Sequence, residues 1–363
     1  MSGSWGRNIR LSIYGESHGA AVGIILDGVK PGIELDMDFI ERQMERRAPG
    51  RDSISTSRRE QDKVQILSGI KDGVTTGTPI NCMIRNQDTR SADYSKQKII
   101  FRPSHSDHTG YVKYRGFNDH RGGGHFSGRI TAGLVFAGAF AMQILLQESI
   151  VIGSHILKLQ KTNEKGFLDC KLTPEMLKEL GSMEIPVIDK ENVKKIEDEI
   201  MLAKSKEDSV GGIVETAVMG IEPGIGDPFF HSVESVLSGL LFAIPAVKAV
   251  EFGKGFQFAD YEGSQINDEP YMCEDDIKYR SNNNGGVLGG ITNGMPLVFK
   301  VGVKPTASIG KTQNSVDMEK REDVEFRITG RHDPCIAKRI IPVIESVTAL
   351  ALLDMIMEGK KWD

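Results

Sequence analysis

Residues 131–147, reading Thr-Ala-Gly-Leu-Val-Phe-Ala-Gly-Ala-Phe-Ala-Met-Gln-Ile-Leu-Leu-Gln, constrain the fold more than any other stretch of the chain. The spacing predicts one helix over Thr131–Gln147 whose apolar residues occupy nearly all faces. Such a helix has no side to turn toward water, so it must lie inside a core with other elements packed around it. The longest apolar run, Leu134 to Leu146, contains Gly138 and Gln143 and falls short of the ~20 residues that a membrane span needs. Further apolar helices are expected over Ser232–Ala243 and Pro342–Met357. The 363 residues are ample to surround them, and no linker interrupts the chain, so 1–363 reads as a single domain.

Around these helices the pattern alternates as strands do. Residues 9–13 and Val22–Leu26 read as strands flanking a turn at Gly15–Ala20, and Val64–Leu67 and Ile80–Ile84 as two more. Asp36 caps a helix running through Arg47, with Phe39, Ile40 and Met44 on one face. Ile150–Leu159, Gly212–Met219 and Val247–Phe258 read as strands, the last with glycine breaks. Residues 174–180 and 190–205 read as surface helices mixing Glu and Lys. Residues 263–286 read as a long polar loop, followed by paired strands at Val287–Ile291 and Leu297–Val303. Strands in adjacent pairs, without regular strand–helix alternation, predict an α+β fold in which antiparallel β-sheets pack on central helices. Paired strands, glycine-rich loop and buried helix recur in that order in both halves, suggesting an internal pseudo-duplication.

The chemistry concentrates just before the first buried helix. Arg102-Pro103-Ser104-His105-Ser106-Asp107-His108 is followed by Arg121-Gly122-Gly123-Gly124-His125-Phe126-Ser127-Gly128-Arg129. Glycine lets backbone approach a ligand, arginine binds phosphate or carboxylate in bidentate fashion, and histidine exchanges a proton near neutral pH. The glycine run ahead of a helix offers backbone amides and a hydroxyl to an anion, although glycines serve close packing equally well. His18, between glycines in the first turn, reads as a proton donor or as a turn histidine held by backbone, and the segment alone does not separate the two. A metal site built from the histidine cluster is the obvious rival. Pro103 and Gly110 argue against a helix presenting His105 and His108 together, and the many neighbouring cations disfavour a divalent ion. His108 and His120 are set aside on that basis. Lys304-Pro305-Thr306-Ala307-Ser308 closes a strand with a cation and two hydroxyls. Asp333 reads as the cap and Pro334 as the first turn of the last helix.

With a net charge of −5, nucleic acid is not an expected partner. Six arginines, Arg42, Arg46, Arg47, Arg51, Arg58 and Arg59, cluster locally instead, which fits a small anion, although any one of them is also explained by a solvated surface. Cys82, Cys170, Cys273 and Cys335 form no Cys-x-x-Cys pair, and Met1–Trp5 lacks a signal-peptide core, so a cytoplasmic location and no membrane association are expected. Gly285-Gly286-Val287-Leu288-Gly289-Gly290 does not satisfy a dinucleotide motif, since a polar loop precedes it and a strand follows it.

Taken in order, these segments resemble the chorismate synthase family over almost the whole chain. The resemblance rests on Gly15-Glu16-Ser17-His18-Gly19, Arg46-Arg47, Arg58-Arg59-Glu60, Leu67-Ser68-Gly69, Thr76-Gly77-Thr78-Pro79, Gly289-Gly290-Ile291, Lys304-Pro305-Thr306 and Pro342-Val343-Ile344-Glu345. It implies a homotetrameric lyase of the shikimate pathway, serving aromatic amino acid biosynthesis. Such an enzyme converts 5-enolpyruvylshikimate-3-phosphate to chorismate by 1,4-anti elimination of phosphate. It requires reduced FMN without net redox change, and an external flavin reductase would supply it, since no reductase module is recognisable. By the same resemblance His18 protonates the departing phosphate, His105 is a proton donor toward the flavin, and Asp333 assists proton removal. Ser17, Arg47, Arg51 and Arg129 bind substrate. His125, Phe126, Ser127, Ala246, Gly289, Lys304, Pro305, Thr306, Ala307, Ser308 and Arg331 line the flavin site. The sequence departs from the family pattern at His125-Phe126-Ser127-Gly128-Arg129, where many members have Arg-Ser-Ser-Ala-Arg. It departs again at Ser53, where an arginine is common, and at Pro245, where an asparagine is common. Rival readings are a metal-dependent hydrolase and a non-catalytic anion-binding protein.

Overall fold

The computed structural model describes residues 3–50, 60–87, 99–328 and 332–359. The first half supplies strands β1 (Ser4–Trp5), β2 (Arg10–Gly15), β3 (Ala21–Asp27), β4 (Val64–Ser68), a small hairpin β5–β6 (Ile70–Lys71, Val74–Thr75) and β7 (Ile80–Arg85). It also supplies helices α1 (Met37–Arg47), α2 (Asp107–Lys113) and α3 (Thr131–Gln147). The second half supplies β8 (Val151–Leu159), β9 (Thr162–Asn163), β10 (Gly212–Met219), β11 (Val247–Phe252), the hairpins β12–β13 (Pro270–Cys273, Asp276–Tyr279) and β14–β15 (Val287–Leu288, Ile291–Thr292), β16 (Leu297–Val303), and β17–β18 (Thr312–Asp317, Glu322–Arg327). Its helices are α4 (Pro174–Ser182), α5 (Asn192–Ser205), α6 (Val233–Ala243), α7 (Gly263–Ile266) and α8 (Ala337–Gly359).

Among the described residues the strands form two five-stranded sheets, ordered β1-β2-β3-β7-β4 and β11-β16-β10-β8-β9, with every pairing in them antiparallel. The period-2 alternation of Val22, Ile24 and Leu26 with Ile80, Cys82 and Ile84 puts one face of the first sheet into the core. α3 packs on that face, and Gly133 lets it approach within van der Waals range of Gly23 and Ile24. α8 packs on β8 and β10 of the other sheet and, along its length, against α3. The two helices close tightly at Gly138, where an added Cβ would fall 2.1 Å from the Ser346 Cβ. By length and composition α8 and the stretch 128–147 suffice to cross a membrane, but 94% and 78% of their apolar windows are buried inside the protein, and that burial accounts for their composition.

Several boundaries differ from the sequence expectation. Residues 263–286 are not a structureless loop, since they hold α7 and the β12–β13 hairpin. Val287–Leu288 pairs with Ile291–Thr292 across a tight two-glycine turn, whereas β16 pairs with β10 and β11. Both cases share a cause. Short polar strands lack the apolar alternation that sequence patterns detect, and strand pairing is a tertiary choice. The β11 strand stops at Phe252 and a 3-10 turn takes over at Gly255–Asp260. Gly110 sits within α2 and does not break it. The last helix starts at Ala337, so Asp333 is not its cap. Val210 donates its N–H to the Pro334 carbonyl at 2.8 Å, and this pairs Val210 with Cys335 in an isolated bridge ahead of the helix. Pro342 lies inside the helix, where it has no N–H to donate back along the helix to residue 338.

Candidate active site

The three glycines at 122–124 form one wall of the site. All have positive φ, at 59°, 84° and 53°, a region that costs other residues about 1–2 kcal/mol. They therefore kink the chain ahead of α3 and do not form its first turn. A Cβ on Gly122 would lie 2.5 Å from His18 Cδ2, 2.7 Å from its Nε2 and 2.9 Å from Ser17 Oγ. A Cβ on Gly123 would lie 3.3 Å from His105 Cε1 and Nε2. The two imidazoles thus stand against adjacent residues of one segment, although 87 positions separate them in the sequence.

Backbone and side-chain bonds hold the His18 turn on this wall. The Ser17 N–H donates to the Gly124 carbonyl at 3.1 Å, and His125 Nδ1–H donates to the Gly15 carbonyl at 2.8 Å. Asn86 donates to the carbonyls of Glu16 and Gly19 at 3.0 and 2.8 Å. His18 is buried, so this turn packs against the protein. Ser17 Oγ is fully buried and has no hydrogen-bond partner among the described residues. A buried hydroxyl left in this state costs free energy unless a ligand or water meets it.

His105 belongs to a second cluster. Its Nδ1 lies 2.7 Å from Asp107 Oδ1, and Asp107 also takes Arg102 Nε and Nη2, each at 2.7 Å. Arg102 Nη1 reaches Ser308 Oγ at 3.2 Å, and Lys304 Nζ donates to the Ser104 carbonyl. Arg102 and His105 hold the Asp107 carboxyl below the ordinary carboxylate range against the upward push of burial. An adjacent carboxylate would by itself raise the imidazole. Burial is the larger effect, and Arg102 and Lys304 add to it, so His105 is held below its ordinary value.

The arginines form a third cluster. Asp62 bridges Arg47 and Arg129: Arg47 Nε donates to Oδ2 at 2.9 Å and its Nη2 reaches the same oxygen, while Arg129 Nη1 takes Oδ1. Arg129 also meets Glu60 at 2.8 Å and Asn86 Oδ1 at 2.9 Å, which ties it to the His18 turn. Burial pushes the Asp62 carboxyl up, but the two guanidiniums outweigh that and hold it below its usual range. Arg46 binds Glu345 of α8 at 2.6 Å, and Arg42 makes an exposed pair with Asp36 at 3.4 Å. Asp333 pairs with Arg339, whose Nε donates to the Arg47 carbonyl at 3.1 Å, and Thr306 Oγ1 donates to the Asp333 carbonyl at 2.7 Å.

The structure thus joins His18, Ser17, His105, His125, Arg47, Arg129, Asp333 and the 304–308 segment through shared partners. Ser127 spends its hydroxyl capping the turn before α3 by accepting the Arg129 N–H at 3.3 Å, and the Phe126 ring packs toward Tyr114 and α2. The Ala246 carbonyl accepts the Lys304 N–H at 3.0 Å. Gly289 lies at the opposite end of α6, where its neighbour Gly290 accepts the Val233 N–H. The length of that 11-residue helix, about 16 Å, separates it from Ala246. Arg51, Ser53, Arg58, Arg59 and Arg331 lie outside the described residues. His108 is exposed against Phe101, away from these clusters. Among the described residues, no three His, Cys, Asp or Glu side chains stand where they would share a metal ion. Sequence reasoning missed Asp62, Asn86, Asp107 and Arg339 as organising partners. Only Asp107 had a local signal, its position two residues after His105.

These features define an α+β protein with buried histidine, arginine and carboxylate clusters around one glycine-rich segment. The family model for chorismate synthase matches residues 9–357. The chain is 43% identical over 360 residues to the chorismate synthase of Pyrococcus abyssi, covering 99% of this chain and 98% of that protein. It is 40% identical over 370 residues to that of Methanocaldococcus jannaschii, covering 99% and 97%. A crystal structure of chorismate synthase aligns with a TM-score of 0.76 at 28% identity, covering 98% of this chain and 93% of that one. The chain belongs to the chorismate synthase family.

Proposed function

We propose that this protein eliminates phosphate from 5-enolpyruvylshikimate-3-phosphate in the 1,4-anti sense to give chorismate, with reduced FMN required and returned unchanged. The observation that carries the reading is the meeting of His18 and His105 on adjacent glycines, beside paired buried arginines. In this reaction the C–O bond to phosphate breaks and a ring hydrogen leaves from a carbon across the allylic system, so the site must receive negative charge and return a proton. His18, flanked by the orphaned Ser17 hydroxyl, is suited to give a proton to a phosphate oxygen. Arg47 and Arg129 can lend donors to the substrate anions, and their present pairing with Asp62 and Glu60 keeps them buried without net charge. His105 is neutral in the unliganded protein and gains a proton when an anion comes within reach of Nε2.

The residues present fit a flavin. The glycine wall lets both imidazoles close in on the backbone, and the Lys304–Ser308 segment brings a cation and hydroxyls beside Arg102 and His105. His105, Lys304, Thr306 and Ser308 would hold it, with His125, Phe126, Ser127 and Ala246 as further lining, while Gly289 and Arg331 enter on the family resemblance alone. When bound, reduced FMN supplies electron density that eases expulsion of phosphate. Asp333, held by Arg339, is suited to accept the departing proton. We infer the remaining family traits on the same basis: a homotetramer in the cytoplasm, in the shikimate pathway to aromatic amino acids, fed by a separate flavin reductase. The α3–α8 pair packed between two five-stranded sheets, one from each half of the chain, supports the sandwich and pseudo-duplication readings.

The test is anaerobic incubation of the purified chain with the enolpyruvyl substrate and chemically reduced FMN, measuring chorismate and phosphate together. Equimolar formation of both supports the reading, and absence of both under reducing conditions refutes it.

A further inference from the structure

We propose that Asp107 is a positioning residue that fixes His105 in one tautomer, with Nδ1–H toward the carboxylate and an Nε2 lone pair toward the glycine wall. The proposal rests on the reading of His105 as an acid–base group of the site. Asp107 opens α2 and is buried, so its position is set by backbone. Its two oxygens accept three hydrogen bonds from Arg102, Nη2 on Oδ1 and Nε and the backbone N–H on Oδ2, and Oδ1 also lies 2.7 Å from His105 Nδ1.

Two groups compete for the same edge of the ring. Arg102 Nη2 lies 3.0 Å from His105 Nδ1, and Asp107 Oδ1 lies 2.7 Å from it. If Nδ1 carried a lone pair, it would face a carboxylate oxygen at 2.7 Å, and the two lone pairs would repel. If Nδ1 carries the proton, it points it toward Oδ1, which already accepts one Arg102 Nη2 hydrogen at 2.7 Å, and the second Nη2 hydrogen gives up its contact with Nδ1. The second arrangement keeps the shorter contact, with the carboxylate, and gives up the longer one, with the guanidinium. Nε2 is then the unprotonated nitrogen, and it is the atom that faces Gly123. The guanidinium cancels the charge of Asp107, so the carboxylate orients the ring without forcing it to be cationic. Arg102 further reaches Ser308, which links the orientation of His105 to the 304–308 segment. The ring is thus wedged between Asp107 on one edge and a residue lacking a side chain on the other.

The test compares Asp107→Asn, His105→Gln and the double variant Arg102→Gln/Asp107→Asn, which removes both buried charges together and avoids an orphaned guanidinium. Nitrogen NMR of histidine-labelled, unliganded protein should show His105 as the Nδ1–H tautomer in the wild type. It should show a shift toward Nε2–H or a tautomer mixture in both Asp107 variants. In the reaction above, kcat should fall about 100-fold in the Asp107 variants with KM little changed, as expected when a catalytic group is misaligned and not lost. A wild-type signal showing Nε2–H, or Asp107 variants with unchanged tautomer and unchanged kcat while His105→Gln is impaired, overturns the positioning role. Full turnover in His105→Gln instead overturns the reading of His105 itself.

Discussion

Replacing Gly122 with alanine tests the geometry at its tightest point. The residue sits at φ 59°, and the added methyl would lie 2.5 Å from His18 Cδ2. Left-handed backbone costs a non-glycine residue about 1–2 kcal/mol, and overpacking adds about 1–3 kcal/mol, for a total of roughly 2–5 kcal/mol. At about 2 °C per kcal/mol for a chain this large, Tm should drop by roughly 4–10 °C. Gly73→Ala separates the two parts, because Gly73 has φ 79° but nothing within 4 Å of its Cβ position. That control should lose only the backbone share, about 1–2 kcal/mol, and keep its turnover. To relieve the clash in Gly122→Ala, His18 must move by about 1 Å, and a displacement of that size at a reacting group costs about 100-fold in rate. Gly123→Ala, whose methyl would meet His105 at 3.3 Å, should lie between the two. Thermal melts and steady-state turnover on the same preparations decide the matter. Equal stability losses in Gly122→Ala and Gly73→Ala, with wild-type turnover in both, would show that His18 does not depend on this wall.

Three further outcomes follow from the buried groups. Asp62→Asn leaves two guanidiniums without their shared carboxylate and should cost about 3–5 kcal/mol by denaturant titration. The folded Asp62 pKa is lowered, so its contribution is complete above the unfolded value of about 3.9 and fades as pH falls through the folded value. The gap between wild type and Asp62→Asn should therefore hold from neutral pH to about pH 5 and close only below about pH 4. His105 is also held below its ordinary value, so the unfolded chain protonates first as pH falls below about 6.5 and the fold loses stability there. His105→Gln should show a flatter stability profile between about pH 7 and pH 5, and an unchanged slope would contradict a buried neutral imidazole. Gly138→Ala drives a methyl to 2.1 Å from Ser346 Cβ and should destabilise the α3–α8 contact by about 3 kcal/mol, read by chemical denaturation.

Much of the skeleton is legible in the amino-acid pattern. Thr131–Gln147 matches its expected bounds because a helix apolar on every face has one solution, burial. Asp36 caps α1 as its side chain dictates, accepting the Phe39 N–H at 2.9 Å. Local chemistry misleads at Asp333 and Pro334, which have the residue types of a helix start but lie before a bridge to Val210, 124 positions before Pro334. The arginine cluster points to an anion site without revealing that Asp62 and Glu60 already neutralise part of it.

Composition and periodicity settled the buried helices, the strand-rich α+β class and the residue types fit for proton transfer and anion contact, because these depend on neighbours within a few positions. Only the tertiary structure decided that His18 and His105 share one glycine wall, that Asp62 joins Arg47 to Arg129, and that Ser308 reaches Arg102. Those contacts bridge tens to hundreds of residues, and the free energy that selects them comes from burying charge and apolar surface together, which no local window of sequence contains.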